Sequence, residues 1–297
     1  MMVLREVSAR TVRLQRKRIR FQNIIATSVV WGGAMLVLGL FGWLLSDILW
    51  HGWRDLSFAY FTQPPESAGR EGGISTILVS TLLILGVCLA TTLPIGLGTS
   101  IFLAEYTDNE GKMARKIRLS LDVLAGIPSI VFGLFGNAFF CKMLGMGFSI
   151  LSGGLTLACM VLPYFIRIAE ESIRSVPSAY RMGAVALGLS KSTSIMKLIL
   201  PVAMPGILGA VILSVGRSLS ETAALIFTSG YVDRMPESLF DSGRSLSVHI
   251  YDLSMNVAGG DQKAYSAGLV LIVSLIFINV LTGLIGKAWS RKMISAL

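Results

Sequence analysis

Charge is scarce in this chain. Only 14% of its 297 residues are Asp, Glu, Lys or Arg, whereas a soluble domain carries about a quarter, because its surface must face water. That deficit excludes an ordinary water-soluble domain. Histidine is nearly missing, with 2 residues and none in the apolar runs, and no nucleophile–base pair is apparent. An intramembrane enzyme therefore lacks its raw material. The three cysteines, Cys88, Cys141 and Cys159, sit in or at the ends of apolar runs without metal-ligand or redox spacing. They read as packing residues, and no metal site is expected. No Gly-x-x-x-x-Gly-Lys-Ser/Thr loop occurs, so the chain should bind no nucleotide itself. The net charge of +9 lacks the aromatic interleaving of a nucleic-acid groove. Nucleic acid is not an expected partner.

What the chain has instead is apolar length. Hydrophobic residues make up 53% of it and the mean hydropathy is +0.70, which is membrane composition. The 31 glycines fit as well, since small residues let membrane helices approach closely. Apolar runs cover about 23–49, 74–103, 119–141, 150–168, 204–227 and 267–288. Each can cross a hydrocarbon core, which needs about 17–25 helical residues. The first is too long for the h-region of a cleaved signal peptide. The expectation is an all-α, polytopic membrane helix bundle with six transmembrane helices.

Six spans leave both termini on one side. Nineteen basic residues fall on that side and six on the other, with Arg217 inside span five. The positive-inside bias places both termini in the cytoplasm. The divisions that follow are a basic cytoplasmic tail at 1–21, a first span at 22–50, an external loop at 51–73, a core at 74–290 and a cytoplasmic tail at 291–297. Within the core, a cytoplasmic loop covers about 170–200 and an external loop about 228–266. Arg10, Arg13, Lys17 and Arg20 share a helical face, either lying on anionic lipid headgroups or serving only as a topology signal.

Span five carries a polar stripe. Ser214, Arg217, Ser218, Glu221 and Thr222 follow the i, i+3, i+4 rule on an otherwise apolar helix. An arginine at membrane depth costs about 2.5–3.5 kcal/mol and faces a bundle interior or a watery cavity. Arg217 and Glu221 either pair with each other or line a pathway in which Arg217 meets an anion. In span three, Gly126 and Pro128, followed by Ser129, weaken the helix. A packing kink and a broken, cavity-lining helix both fit that segment.

The loop before span five holds a short apolar helix. Pro177 opens it and Gly188 closes it. Between them run Tyr180, Arg181, Met182, Gly183, Ala184 and Leu187, too apolar to stand bare in the cytoplasm. A partner is the natural cover, and packing against the bundle ends is the other.

This segment resembles the coupling loop of ABC importer permeases, with the pattern Glu-Ala-Ala, three residues, Gly, nine residues, Ile, one residue, Leu-Pro. Here stand Met182-Gly183-Ala184, then Gly188, Leu198 and Leu200-Pro201. Met182 replaces the acidic residue, so no salt bridge to an ATPase is expected there. Other stretches resemble phosphate-importer permeases. They are Pro64-Pro65-Glu66-Ser67-Ala68-Gly69-Arg70-Glu71-Gly72-Gly73, Phe102-Leu103-Ala104-Glu105-Tyr106, Gly126-Ile127-Pro128-Ser129 and Arg217-Ser218-Leu219-Ser220-Glu221-Thr222. The Pro-Pro…Gly-Gly segment is similar to the PstA type rather than the PstC type.

The resemblance implies a type I ABC importer permease fold with a cytoplasmic coupling helix, in the bacterial inner membrane. It implies a PstC-type permease partner, two copies of a PstB-type ATPase that bind ATP and Mg, and a periplasmic PstS-type phosphate-binding protein. The external loop at 228–266 would contact that binding protein. Arg217, Glu221, Ser214, Ser218, Thr222, Pro128 and Ser129 become pathway residues, and 180–184 with Leu187 and Gly188 the ATPase contact. Two other transporter classes stay open. One is an ABC permease for sulfate or molybdate; the other is an ion-driven secondary transporter, although no inverted repeat is evident.

Overall fold

The computed structural model describes the backbone of residues 2–108 and 111–294, and the side chains of 23–108, 111–284 and 286. The proposed basic face at Arg10–Arg20 and the extreme C-terminal tail lie outside those side chains. The chain divides into two units, one ending at His51 and one beginning at Gly52. The first is a single helix, α1 (Met2–Gly52).

The second unit opens with α2 (Phe58–Thr62) and a small antiparallel hairpin, β1 (Pro65–Glu66) with β2 (Glu71–Gly72). Then come α3 (Ser75–Ile101), α4 (Lys112–Ala125), α5 (Ser129–Gly136), α6 (Ile150–Arg174), α7 (Ser178–Ala186) and α8 (Lys191–Ser194). The chain ends with α9 (Leu200–Leu219), α10 (Ala223–Ile226), α11 (Leu246–Met255) and α12 (Asp261–Ile294). Single π-turns follow α3, α5 and α8, at Phe102–Tyr106, Asn137–Met143 and Ile195–Ile199.

Five stretches are long and apolar enough to cross a membrane: Asn23–Asp55, Ser75–Tyr106, Ile150–Arg174, Lys191–Leu219 and Asp261–Leu284. The sixth expected span is broken. Its halves, Lys112–Ala125 and Ser129–Met143, meet at 99°. The cause is local. Gly126 ends α4, and Pro128 takes an extended conformation (φ −59°, ψ 141°) before α5 restarts, as the residue before a proline also avoids the helical region.

Span five differs from the expected 204–227. It starts earlier, at Lys191, and its helix stops at Leu219. The segment 228–266, expected as an external loop, contains α11 and folds inward. Thr228, Ser229 and residues 243–249 are buried, and the returning chain closes one end of α6. The amides of Ser149, Ile150 and Leu151 donate to the carbonyls of Thr228, Asp241 and Leu239, satisfying donors that a helix start leaves without partners.

The core is built on α3 against α6. Added Cβ atoms would come within 2.4 Å of Phe165 at Gly96 and 2.5 Å of Val87 at Gly154, so these glycines set the helix separation. Ile84, Cys88, Phe132, Leu157, Val161 and Leu225 fill one end of this core, and Phe165, Ile173, Ile199 and Ile207 the other.

A buried polar cluster ties the segment from Tyr231 to Asp252 together beside the hairpin. The guanidinium of Arg244, 7% exposed, lies 3.2 Å from the Asp252 carboxylate and donates to the carbonyl of Tyr231. It also sits 3.4 Å from His249 Nδ1, and His249 packs on Gly69 in the hairpin. Burial, with the Arg244 charge beside it, pushes the His249 pKa from 6.5 down to about 4. Between those values the unfolded chain binds the proton that the folded one refuses, so stability falls as pH drops from 6.5 toward 4. Thermal unfolding of the purified protein at pH 7 and pH 5 should show this loss, and His249→Gln should lessen it.

Candidate functional site

Arg217 lies in the last turn of α9, where the carbonyl-rich helix end favours a cation. Its neighbours set its depth. Ser218 Oγ is 3.4 Å from the sulfur of Cys88, near the middle of α3. The Arg217 guanidinium lies over the ring of Tyr164, near the middle of α6, 4.7 Å from its centroid. The Tyr164 hydroxyl donates to the carbonyl of Ala125, the last residue of α4 before the break. Arg217 and the Gly126–Pro128 break, far apart in sequence, thus meet through Tyr164 at the level of the middles of α3 and α6. An apolar groove of about 510 Å³ opens beside the break, lined by Ile95, Leu124, Ile127, Val131, Phe135 and Leu162 among others.

The stripe does not persist as one helical face. Glu221 and Thr222 lie beyond the end of α9, in the break before α10. The Glu221 carboxylate accepts from the amide of Ala224, and its backbone carbonyl accepts from the Ser247 hydroxyl. Ser214 is buried and its hydroxyl donates to the carbonyl of Ala210 in its own helix. Ser218 is buried against Cys88. Among the described residues, Arg217 forms no salt bridge with Glu221 or any other carboxylate, and its Nε is buried with no hydrogen-bond partner. A guanidinium with an unused donor, stacked on one ring, is equipped to receive an anion. Ser129 and Pro128 start α5, which packs on α10, where Gly133 sits against Ala224.

The expected coupling helix is α7. Gly188 ends it at φ +67°, with the amides of Gly188 and Leu189 donating to the carbonyls of Val185 and Ala184. This is a Schellman closure, which calls for a left-handed residue. Gly188→Ala should cost about 1 kcal/mol at that conformation, read as faster proteolysis within 177–190. The helix has two distinct faces. Met182, Val185 and Leu187 are exposed at 64%, 76% and 77%, while Ala184 is buried at 2%. Tyr180 and Gly183 are also exposed. Arg181 turns inward to the Glu105 carboxylate. Of the residues expected at the ATPase contact, Arg181 and Ala184 pack against the chain's own bundle, and the others face outward.

Comparison with known proteins now bears on these features. Residues 96–295 match the family model of the binding-protein-dependent transport system inner membrane component. The chain belongs to that family. The permease is 32% identical over 281 residues to the phosphate transport system permease protein PstA 1 of Mycobacterium tuberculosis, covering 93% of this chain and 92% of that one. It is 31% identical over 275 residues to a probable ABC transporter permease, YqgI, of Bacillus subtilis, covering 88% and 92%. Its fold is similar to a chain of the bacterial alginate ABC transporter in complex with its alginate pentasaccharide-bound periplasmic protein, with TM-score 0.63, 15% identity and coverage of 87% and 94%. A chain of the inward-facing MetNI methionine transporter superposes with TM-score 0.57, 14% identity and coverage of 72% and 96%. The permease thus has the type I ABC importer fold and is a multi-pass inner-membrane transport subunit, not an enzyme.

Two residues of this site escaped the sequence reading. Tyr164 sits beside Pro163 in an apolar run, and a phenol at that depth was the signal that something polar lies near. Glu105 was visible within the Phe102–Tyr106 stretch, but its partner Arg181 is 76 residues away, beyond any local pattern. Among the described residues, no group of three or more His, Cys, Asp or Glu side chains is placed to hold a metal ion.

Proposed function

We propose that the permease is the PstA-type subunit of an ATP-driven phosphate importer, forming half of the translocation pathway. The observation that carries this reading is Arg217: a guanidinium level with the middles of α3 and α6, without a carboxylate partner among the described residues, beside the α4/α5 and α9/α10 breaks. A passing tetrahedral oxyanion can take its donors two at a time. Relatives that carry the PstA name support phosphate as that anion. The other pathway half would be a PstC-type subunit. Two PstB-type ATPases would hold ATP and Mg, one of them seating against the exposed face of α7 and the other against the PstC-type subunit, and a PstS-type periplasmic protein would deliver phosphate. The permease itself binds no cofactor in this scheme, and its charge bias puts both termini in the cytoplasm.

The test is uptake by vesicles holding the assembled complex, with labelled phosphate, sulfate and molybdate offered separately. ATP-dependent accumulation of phosphate alone is the expected result. Preference for sulfate or molybdate would move the reading to another oxyanion permease. Uptake that proceeds without the ATPase subunit would move it to a gradient-driven carrier.

A further inference from the structure

Three cations from the segment between spans four and five converge on the π-turn that ends span two. Arg174 donates to the carbonyl of Leu103. Arg181 donates from Nε and Nη2 to one carboxylate oxygen of Glu105, at 3.0 and 2.6 Å. The Lys191 ammonium sits 4.5 Å over the ring of Tyr106. The Glu105 side chain is 7% exposed, so the contact is a seat inside the protein and not a surface pair. Arg181 also donates to the carbonyls of Ile173 and Val176, which tie it to the end of α6. A π-turn widens the helix locally and often marks a functional position. Nothing in the pathway or in ATPase contact requires an acid at Glu105.

From this seat the polar contacts run on to α4. Arg174 also donates to Glu170, whose side chain is 4% exposed, and Arg118 of α4 donates to the same carboxylate oxygen. At its other end α4 stops at Ala125, held by Tyr164 beneath Arg217. A continuous set of contacts therefore joins the coupling helix to the break in span three.

We infer that Glu105 is a positioning residue of the transport cycle: its pairing with Arg181 fixes α7 to the end of span two, so that a displacement of α7 moves α3 and α4. The inference rests on the reading of α7 as the ATPase contact. A charge pair buried on one side is suited to the task because bending it is costly while moving it as a unit is not.

The experiment uses the assembled importer in vesicles, with Glu105→Gln, Arg181→Gln and the double variant, and reads phosphate moved per ATP hydrolysed. Each single change should lower that ratio about five-fold or more, with the ATPase subunit still co-purifying. The double variant should be no worse than the poorer single one, because the pair acts as a unit. An unchanged ratio in both single variants overturns the inference, as do losses that multiply in the double. Loss of the ATPase subunit from the single variants also overturns it, since the pair would then build the docking helix without carrying its motion. A parallel Val185→Asp arm separates the two ideas. Full transport with the ATPase retained in that arm removes the docking reading of α7 itself.

Discussion

Replacing Arg217 with alanine stops phosphate uptake by the assembled importer while the subunits still co-purify. The expected loss is at least about 30-fold, because truncating a charge that meets an opposite charge away from water costs about 2–5 kcal/mol. Assembly survives for a structural reason. Arg217 neutralises no carboxylate among the described residues, and Glu221 is already bonded to Ala224 and, through its carbonyl, to Ser247. Removing the guanidinium therefore leaves no buried acid alone and sacrifices mainly the stacking on Tyr164, worth about 1 kcal/mol. Arg217→Lys keeps the charge but loses the planar fork, and should retain part of the rate. Vesicle uptake beside a co-purification assay checks both. Normal uptake by the alanine variant would remove Arg217 from the pathway.

Val185→Asp releases the ATPase from an otherwise intact permease. Val185 is among the most exposed apolar residues of α7, at 76%, on the face that also carries Met182 one turn earlier. A carboxylate there meets water in the free permease and an apolar seat in the complex. Complex formation and transport should fall about ten-fold or more, since an unpaired charge at a docked surface costs more than about 1.4 kcal/mol. Thermal unfolding of the permease alone should not change. Ala184→Asp makes the contrast. Its site is 2% exposed within the protein, so the new acid should lower the permease's own stability before any partner is added. Equal behaviour of the two variants would mean that the faces of α7 have been assigned the wrong way round.

Much of this protein follows from local chemistry. Long apolar runs can only cross a bilayer, so the spans are legible wherever a run is uninterrupted, and the segments rich in basic residues mark one side of it. Gly126 and Pro128 act within a turn of their own positions, so the sequence marks a weak point in span three, and the 99° angle separates a break from a mere kink. Gly188 likewise ends α7 through its own φ, without help from a distant partner. Tertiary packing decided the rest, because the competing arrangements are equal in local energy. No proline and no further glycine stands between Arg217 and Thr222, so the stripe reads as helix throughout. The helix ends at Leu219 because the chain gains more by turning α10 onto α5, where Gly133 admits Ala224. Ala184 and Val185 are both small and apolar, and only the bundle beneath α7 distinguishes the inner one from the outer one. Arg181 reads as a solvent-facing cation until Glu105 arrives from span two. Sequence by itself determined a basic, multi-span permease with an arginine deep in the membrane. Only the folded chain decided that this arginine stands without an acidic partner among the described residues, since its separation from Glu221 depends on where a helix stops.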